Sequence, residues 1–110
     1  MPAPDRRASD KDDGIDRIAV GRRLRRTRQA LGLAQNEFAE RAGIAPPAYN
    51  QYEHGKRLIS PGLAARLCEH YNLTLDWIYV GDPSNLPYKL AAAVRALDTL
   101  QPDDPDCDVR

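Results

Sequence analysis

Apolar positions recur at helical spacing through most of this chain and at strand spacing nowhere. Val20, Leu24, Thr27 and Leu31 lie four, three and four residues apart, one face of a 3.6-residue turn, and Gly32 supplies a stop. Arg22, Arg23, Arg25 and Arg26 are then expected mostly on the outer faces of this first helix. A second, shorter helix is predicted over 35–42, burying Phe38, Ala39 and Ala42. Glu37 sits in its first turn, where the helix dipole favours an acid, and Gly43 ends it. A third helix follows Ala45, with Ala48, Tyr49 and Tyr52 inward, and Gly55 closes it. Ser60 as cap with Pro61 at the first helical position starts a fourth, which turns Leu63, Leu67, Cys68 and Tyr71 inward. A fifth, short helix is predicted over 75–80, behind Thr74 as cap and before Gly81-Asp82-Pro83. Beyond Pro83 and Pro87, Leu90, Val94 and Leu97 mark one stripe of a final helix, with Leu100 as its candidate continuation.

The expected fold class is therefore all-α: a domain of five short helices with a sixth appended. Residues 1–16 are rich in Pro, Asp and Arg with almost no large apolar residue, and read as a flexible arm. The helical domain is expected over 17–81. A linker and C-terminal helix, docking or dimerising, fill 82–100, and 101–110 read as an acidic disordered tail. A chain of 110 residues holds one small domain plus tails, and 42% apolar with 29% charged residues is a globular composition. No run approaches the ~20 apolar residues that a membrane span needs, and no apolar segment follows the N-terminus as a secretory signal would require. The two cysteines, Cys68 and Cys107, form no CxxC pair, which argues against a disulfide framework or zinc finger and fits a reducing cytoplasm.

The formal net charge is zero, yet the charge is unevenly placed. Between residues 17 and 57, nine basic residues face only Glu37, Glu40 and Glu53, a surplus of six. From 98 to 110, five aspartates face Arg110 alone, a deficit of four. A basic core with an acidic tail suggests a surface for a polyanion, with the tail as its competitor. Solubility alone would also account for both runs.

Function is concentrated between Gln35 and Arg57. Two short helices joined by a glycine turn, the second closed by Gly55-Lys56-Arg57, have the form of a helix-turn-helix, in which the first helix braces a second that enters a major groove. Here the chain resembles the phage-repressor and Cro type of regulators, the xenobiotic-response-element-like family. The matching residues are Gly21-Arg22-Arg23-Leu24, Arg28, Gly32-Leu33-Ala34-Gln35-Asn36-Glu37-Phe38-Ala39, Ala42-Gly43-Ile44, Tyr49-Asn50-Gln51-Tyr52-Glu53-His54-Gly55-Lys56-Arg57 and Leu73-Thr74-Leu75-Asp76-Trp77-Ile78. They cover residues 17–80.

The resemblance implies a repressor-like transcriptional regulator of prokaryotic or phage type that binds double-stranded DNA, as a homodimer on two-fold symmetric sites. It implies Gln35 against a backbone phosphate, where a helix N-terminus favours an anion. It places Ala45, Pro46, Pro47, Asn50 and Gln51 over the bases, the two amides being suited to adenine. His54, Lys56 and Arg57 would hold the backbone. Apart from the resemblance, the basic run of the first helix, chiefly Arg22 and Arg23, reads either as a phosphate-facing patch beside the motif or as a solvated helix face. Arg28 with Glu53 resembles the family's internal ion pair.

Two departures stand out. Ala34 and Ala45 occupy cap positions where the family usually has Ser or Thr, and Pro46-Pro47 replace polar base readers with rings that cannot donate a hydrogen bond. They motivate a second reading, an antitoxin-like or other protein-interaction module with a protein partner. Neither catalytic nor metal chemistry is expected, and no cofactor. His54 and His70 lack further ligands at metal spacing, Cys68 reads as a core thiol, and no nucleophile motif organises the Ser, His and Asp residues. Trp77 and Tyr79 read as packing for the fifth helix rather than as a ligand box.

Overall fold

The computed structural model describes residues 15–100 and, before them, the backbone of Lys11–Asp12. Strand β1 (Lys11–Asp12) pairs antiparallel with β2 (Ile15–Asp16). The rest is helical: α1 (Arg17–Ala30), α2 (Gln35–Arg41), α3 (Pro46–Glu53), α4 (Pro61–Tyr71), a π-helical segment (Asp76–Val80) and α5 (Tyr88–Leu100). The all-α expectation holds, with the two-residue ladder as an addition that no alternation in the sequence announced. The remainder of the arm and the tail 101–110, with Cys107, lie outside the described residues.

Three helix starts carry a side-chain cap. Asp16, assigned to the arm from the sequence, is the cap of α1: its Oδ1 accepts from the amides of Ile18 (3.0 Å) and Ala19 (3.3 Å). Ser60 Oγ accepts from Leu63 N at 3.4 Å, with Pro61 opening α4. Thr74 Oγ1 accepts from Trp77 N at 3.0 Å, so the anticipated fifth helix does form, but as a π turn beginning at Asp76. Helices α2 and α3 begin on Ala34 and Ala45 with no side-chain cap. In α3, Pro46 and Pro47 lack the N–H groups that a cap would serve, so the alanine there leaves fewer donors without partners.

The core runs through the bundle as Val20 and Leu24 from α1, Phe38 and Ala39 from α2, Tyr49 from α3, Ala64 and Leu67 from α4, and Trp77 and Ile78 from the π segment. Phe38 stacks on Tyr71 at 4.4 Å and tilts against Tyr49 at 5.4 Å. Trp77 donates from Nε1 to Thr27 Oγ1 (2.9 Å) and Tyr79 from its hydroxyl to Ile59 O (2.6 Å), so both serve packing.

Helix α5 docks on α1, and Leu90 and Val94 are buried there. The two run antiparallel. Pro87, Lys89 and Leu90 lie beside Ala30 and Leu31, whereas Asp98 meets Arg26 at 3.0 Å. The apolar stripe of α5 thus packs within the chain at Leu90 and Val94, and Leu100 is exposed. It also corrects the expected exposure of α1. Arg26 is buried, Arg22, Arg23 and Arg25 are half-buried, and Leu31, expected inside, is exposed beyond the last turn.

Candidate nucleic-acid interface

The sharp turn between α2 and α3 depends on Gly43, whose φ of +78° lies in the left-handed region. Ile44 N then reaches back to Ala39 O (2.9 Å) while the Ile44 side chain is buried, which locks the angle between the helices. Arg66 on α4 fastens the turn from outside, donating to Gly43 O at 2.8 Å. At the far end of α3, Gly55 (φ +72°) lets Lys56 N close on Gln51 O at 3.0 Å.

Helix α1 lies directly across the end of α3. A Cβ on Gly21 would stand 2.5 Å from Tyr52 O and 2.6 Å from Glu53 O, so only glycine permits this approach. Arg17 Nε donates to Gly55 O at 2.9 Å, extending the same contact.

The centre of the motif is Glu53, 3% exposed. Its carboxylate accepts from Arg28 Nε (2.7 Å) and Nη2 (3.2 Å), from Tyr49 Oη (2.7 Å) and from Gln35 Nε2 (3.0 Å). The chain continues outward, because Asn50 Nδ2 donates to Gln35 Oε1 at 2.9 Å. A carboxylate can only accept, so Gln35 must turn its NH2 inward and its oxygen toward Asn50. Asn50 must answer with its own NH2, which leaves its Oδ1 and one N–H outside this chain. The fork of Arg28 and the buried carboxylate thus orient two amides at the surface.

Around this amide pair the structure gathers most of the sequence candidates. Gln35 opens α2, and Asn50 and Gln51 lie on α3, Gln51 exposed. Ala45 and Pro47 are exposed and Pro46 half-buried at the start of α3, while Lys56 and Arg57 are exposed beyond its end. His54 Nδ1 lies 2.9 Å from Asn50 O and, facing a carbonyl, must carry the hydrogen. Arg22 and Arg23 stand apart from this group. They line a cleft of about 280 Å³ between α1, Trp77 and Asp98, where Arg23 Nη1 donates to Ile78 O at 2.7 Å. Burial lowers the Arg23 pKa, with Asp16 opposing and Arg22 adding to the effect.

The anticipated Arg28–Glu53 pair is present, but its extension to Gln35 and Tyr49 was not anticipated. The four-residue step from Tyr49 to Glu53 was the available signal, since it puts both on one helix face. Burial, with the Glu53 charge and hydrogen bond behind it, raises the Tyr49 pKa well above its ordinary 10.0, against the smaller opposing pull of Arg28. The folded state therefore favours the neutral phenol. Its contribution to stability is complete below about pH 10 and is lost as the pH rises above that value. Tyr49→Phe is expected to lower the melting temperature near neutrality and to flatten its fall above about pH 10; parallel profiles for the two proteins would exclude this role.

Among the described residues no helix is long and apolar enough to cross a membrane, and no three His, Cys, Asp or Glu side chains gather as metal ligands. Burial raises the Cys68 thiol pKa, as for a core cysteine. Neither curated proteins nor solved structures gave a match. Residues 24–78, half of the chain, match the family described as Helix-turn-helix. With the turn at Gly43, the braced α3 and this match, the chain belongs to the Cro/C1-type helix-turn-helix family of DNA-binding domains.

Proposed function

We propose that the protein is a sequence-selective, repressor-like regulator that reads duplex DNA with α3 and acts as a homodimer inside the cell, with no catalytic activity. The observation that supports this best is the hydrogen-bonded chain from Glu53 through Gln35 to Asn50, which presents amides of defined orientation at the start and middle of the motif. An asparagine so held offers a donor and an acceptor side by side, the pattern that pairs with adenine N7 and N6. Gln51, exposed one residue further, supplies a second amide. Gln35 at the first turn of α2 retains one N–H for a phosphate, and Lys56 with Arg57 add charge beyond the end of α3. Pro46 and Pro47 offer only apolar faces, suited to a thymine methyl, so hydrogen-bonded readout is concentrated on the amides.

The direct test is selection from a random duplex pool at physiological salt. A two-fold symmetric consensus, with half-sites about one helical turn apart, is expected. Retention without any consensus would reject selective binding and favour the protein-interaction reading. Two variants then separate the roles. Gln51→Ala is expected to relax preference at one base position, with a discrimination loss of about 1–3 kcal/mol there. Lys56→Ala is expected to weaken all duplexes alike and to reduce the salt slope by about one.

A further inference from the structure

We propose that the acidic segment 101–110 docks on the basic exit of α3, at Gly55, Lys56 and Arg57, and competes there with the phosphates of DNA; this regulation rests on the DNA-binding reading above. The fold brings the end of α5 toward that place. Because α5 runs antiparallel to α1, its last turn ends toward the first turn of α1, with Asp98 in the same cleft as Ala19 and Arg22. That first turn itself abuts the exit loop: Arg17 donates to Gly55 O at 2.9 Å, and Ile18 Cγ1 stands 2.9 Å from where a Cβ on Gly55 would lie. One helix diameter, about 10–12 Å, separates the two faces of α1, whereas ten residues reach about 33–36 Å when extended.

Charge selects the occupant. Residues 101–110 hold Asp103, Asp104, Asp106 and Asp108 against Arg110 alone. Lys56 and Arg57 are exposed and form no ion pair with any described residue. The first acid of the run, Asp98, already pairs with an arginine of α1, so the acidic run begins its course against basic groups of the same domain. A tether this short holds the carboxylates at an effective concentration of about millimolar, so occupancy requires several weak exposed pairs acting together. Every duplex that uses Lys56 and Arg57 must displace the segment and loses affinity by the same factor. Weak non-specific duplexes are then released at concentrations where a cognate site, with base contacts in addition, stays bound.

Two measurements on the full-length chain test this. With Cys68→Ala, a nitroxide on Cys107 probes the DNA-free protein by relaxation of backbone amide signals. Selective broadening at Gly55, Lys56 and Arg57 at about 50 mM salt, relieved at about 1 M where the screening length falls to about 3 Å, is expected. Absence of that broadening, or equal broadening over α4, overturns the docking. In the second, the quadruple variant D103N/D104N/D106N/D108N is titrated with a random-sequence duplex. About fivefold tighter binding than the parent chain is expected at low salt, with the gap closing as salt rises. Equal affinities overturn the competition. If neither protein binds any duplex while the broadening persists, the segment docks and it is the DNA reading that fails.

Discussion

Replacing Glu53 by alanine is expected to lower the melting temperature by roughly 15–25 °C and to abolish selective DNA binding at temperatures where the domain still folds. The cause is the number of donors that this one carboxylate serves. Arg28, Gln35 and the buried hydroxyl of Tyr49 all point at it, and removing it strands a guanidinium and a phenol in the interior. Breaking a buried pair from one side costs about 3–5 kcal/mol, a large share of the roughly 5–15 kcal/mol that holds a small domain folded. The functional loss has a separate origin. Without an acceptor behind it, Gln35 is free to turn over, and Asn50 loses the partner that fixes its own amide. Glu53→Gln, which keeps an acceptor but removes the countercharge of Arg28, is expected to fall between the two in stability. Thermal unfolding followed by circular dichroism, with affinity for the selected site, gives both readouts. A melting point within a few degrees of the parent would show that the network contributes little.

Gly21→Ala is the second large effect. No ordinary packing adjustment accommodates its Cβ, because the atoms it meets are backbone carbonyls of α3 at 2.5 and 2.6 Å. Either α3 moves outward from α1 or the end of α3 is distorted, at a cost of about 1–3 kcal/mol. The expected drop is roughly 5–15 °C. The displacement acts on the same segment, Tyr52 to Gly55, that aims Gln51 and Lys56. Affinity for the selected site is therefore expected to fall further than stability alone explains, when measured well below the melting transition. Unchanged affinity in a folded G21A protein would show that the position of α3 tolerates this shift.

Gly21 also shows what a sequence does not display. It sits inside an amphipathic helix, where glycine is merely a weak helix former, and only the crossing of α1 over the end of α3 makes it indispensable. The same holds for the basic residues of α1. Read along one helix, Arg22, Arg23 and Arg26 belong mostly to its outer faces and look solvated. In the folded chain the π segment and α5 cover that side, so Arg26 pairs with Asp98 and Arg23 serves Ile78 O.

Local rules carried far where the determinants were local. Helix α4 was legible from Ser60-Pro61, the turn from Gly43, and the end of α3 from Gly55, because capping and left-handed backbone depend on adjacent residues. The periodicity of Val20, Leu24 and Thr27 marked the buried face of α1 for the same reason. The β1–β2 pairing before α1 was missed, since two residues per strand are too few to show alternation.

By itself, then, the sequence determined that the described residues are mainly helical, roughly where most of the helices lie, and that a helix-turn-helix is among them. Only the tertiary structure decided which charged and polar groups meet. Gln35 and Asn50 stand fifteen residues apart, and Glu53 reaches Arg28 across twenty-five. Helix periodicity reports the direction of a side chain from its own axis, whereas partnership depends on how separate axes cross. The arrangement of the interface is settled by those crossings, above all by α1 resting on the end of α3 at Gly21.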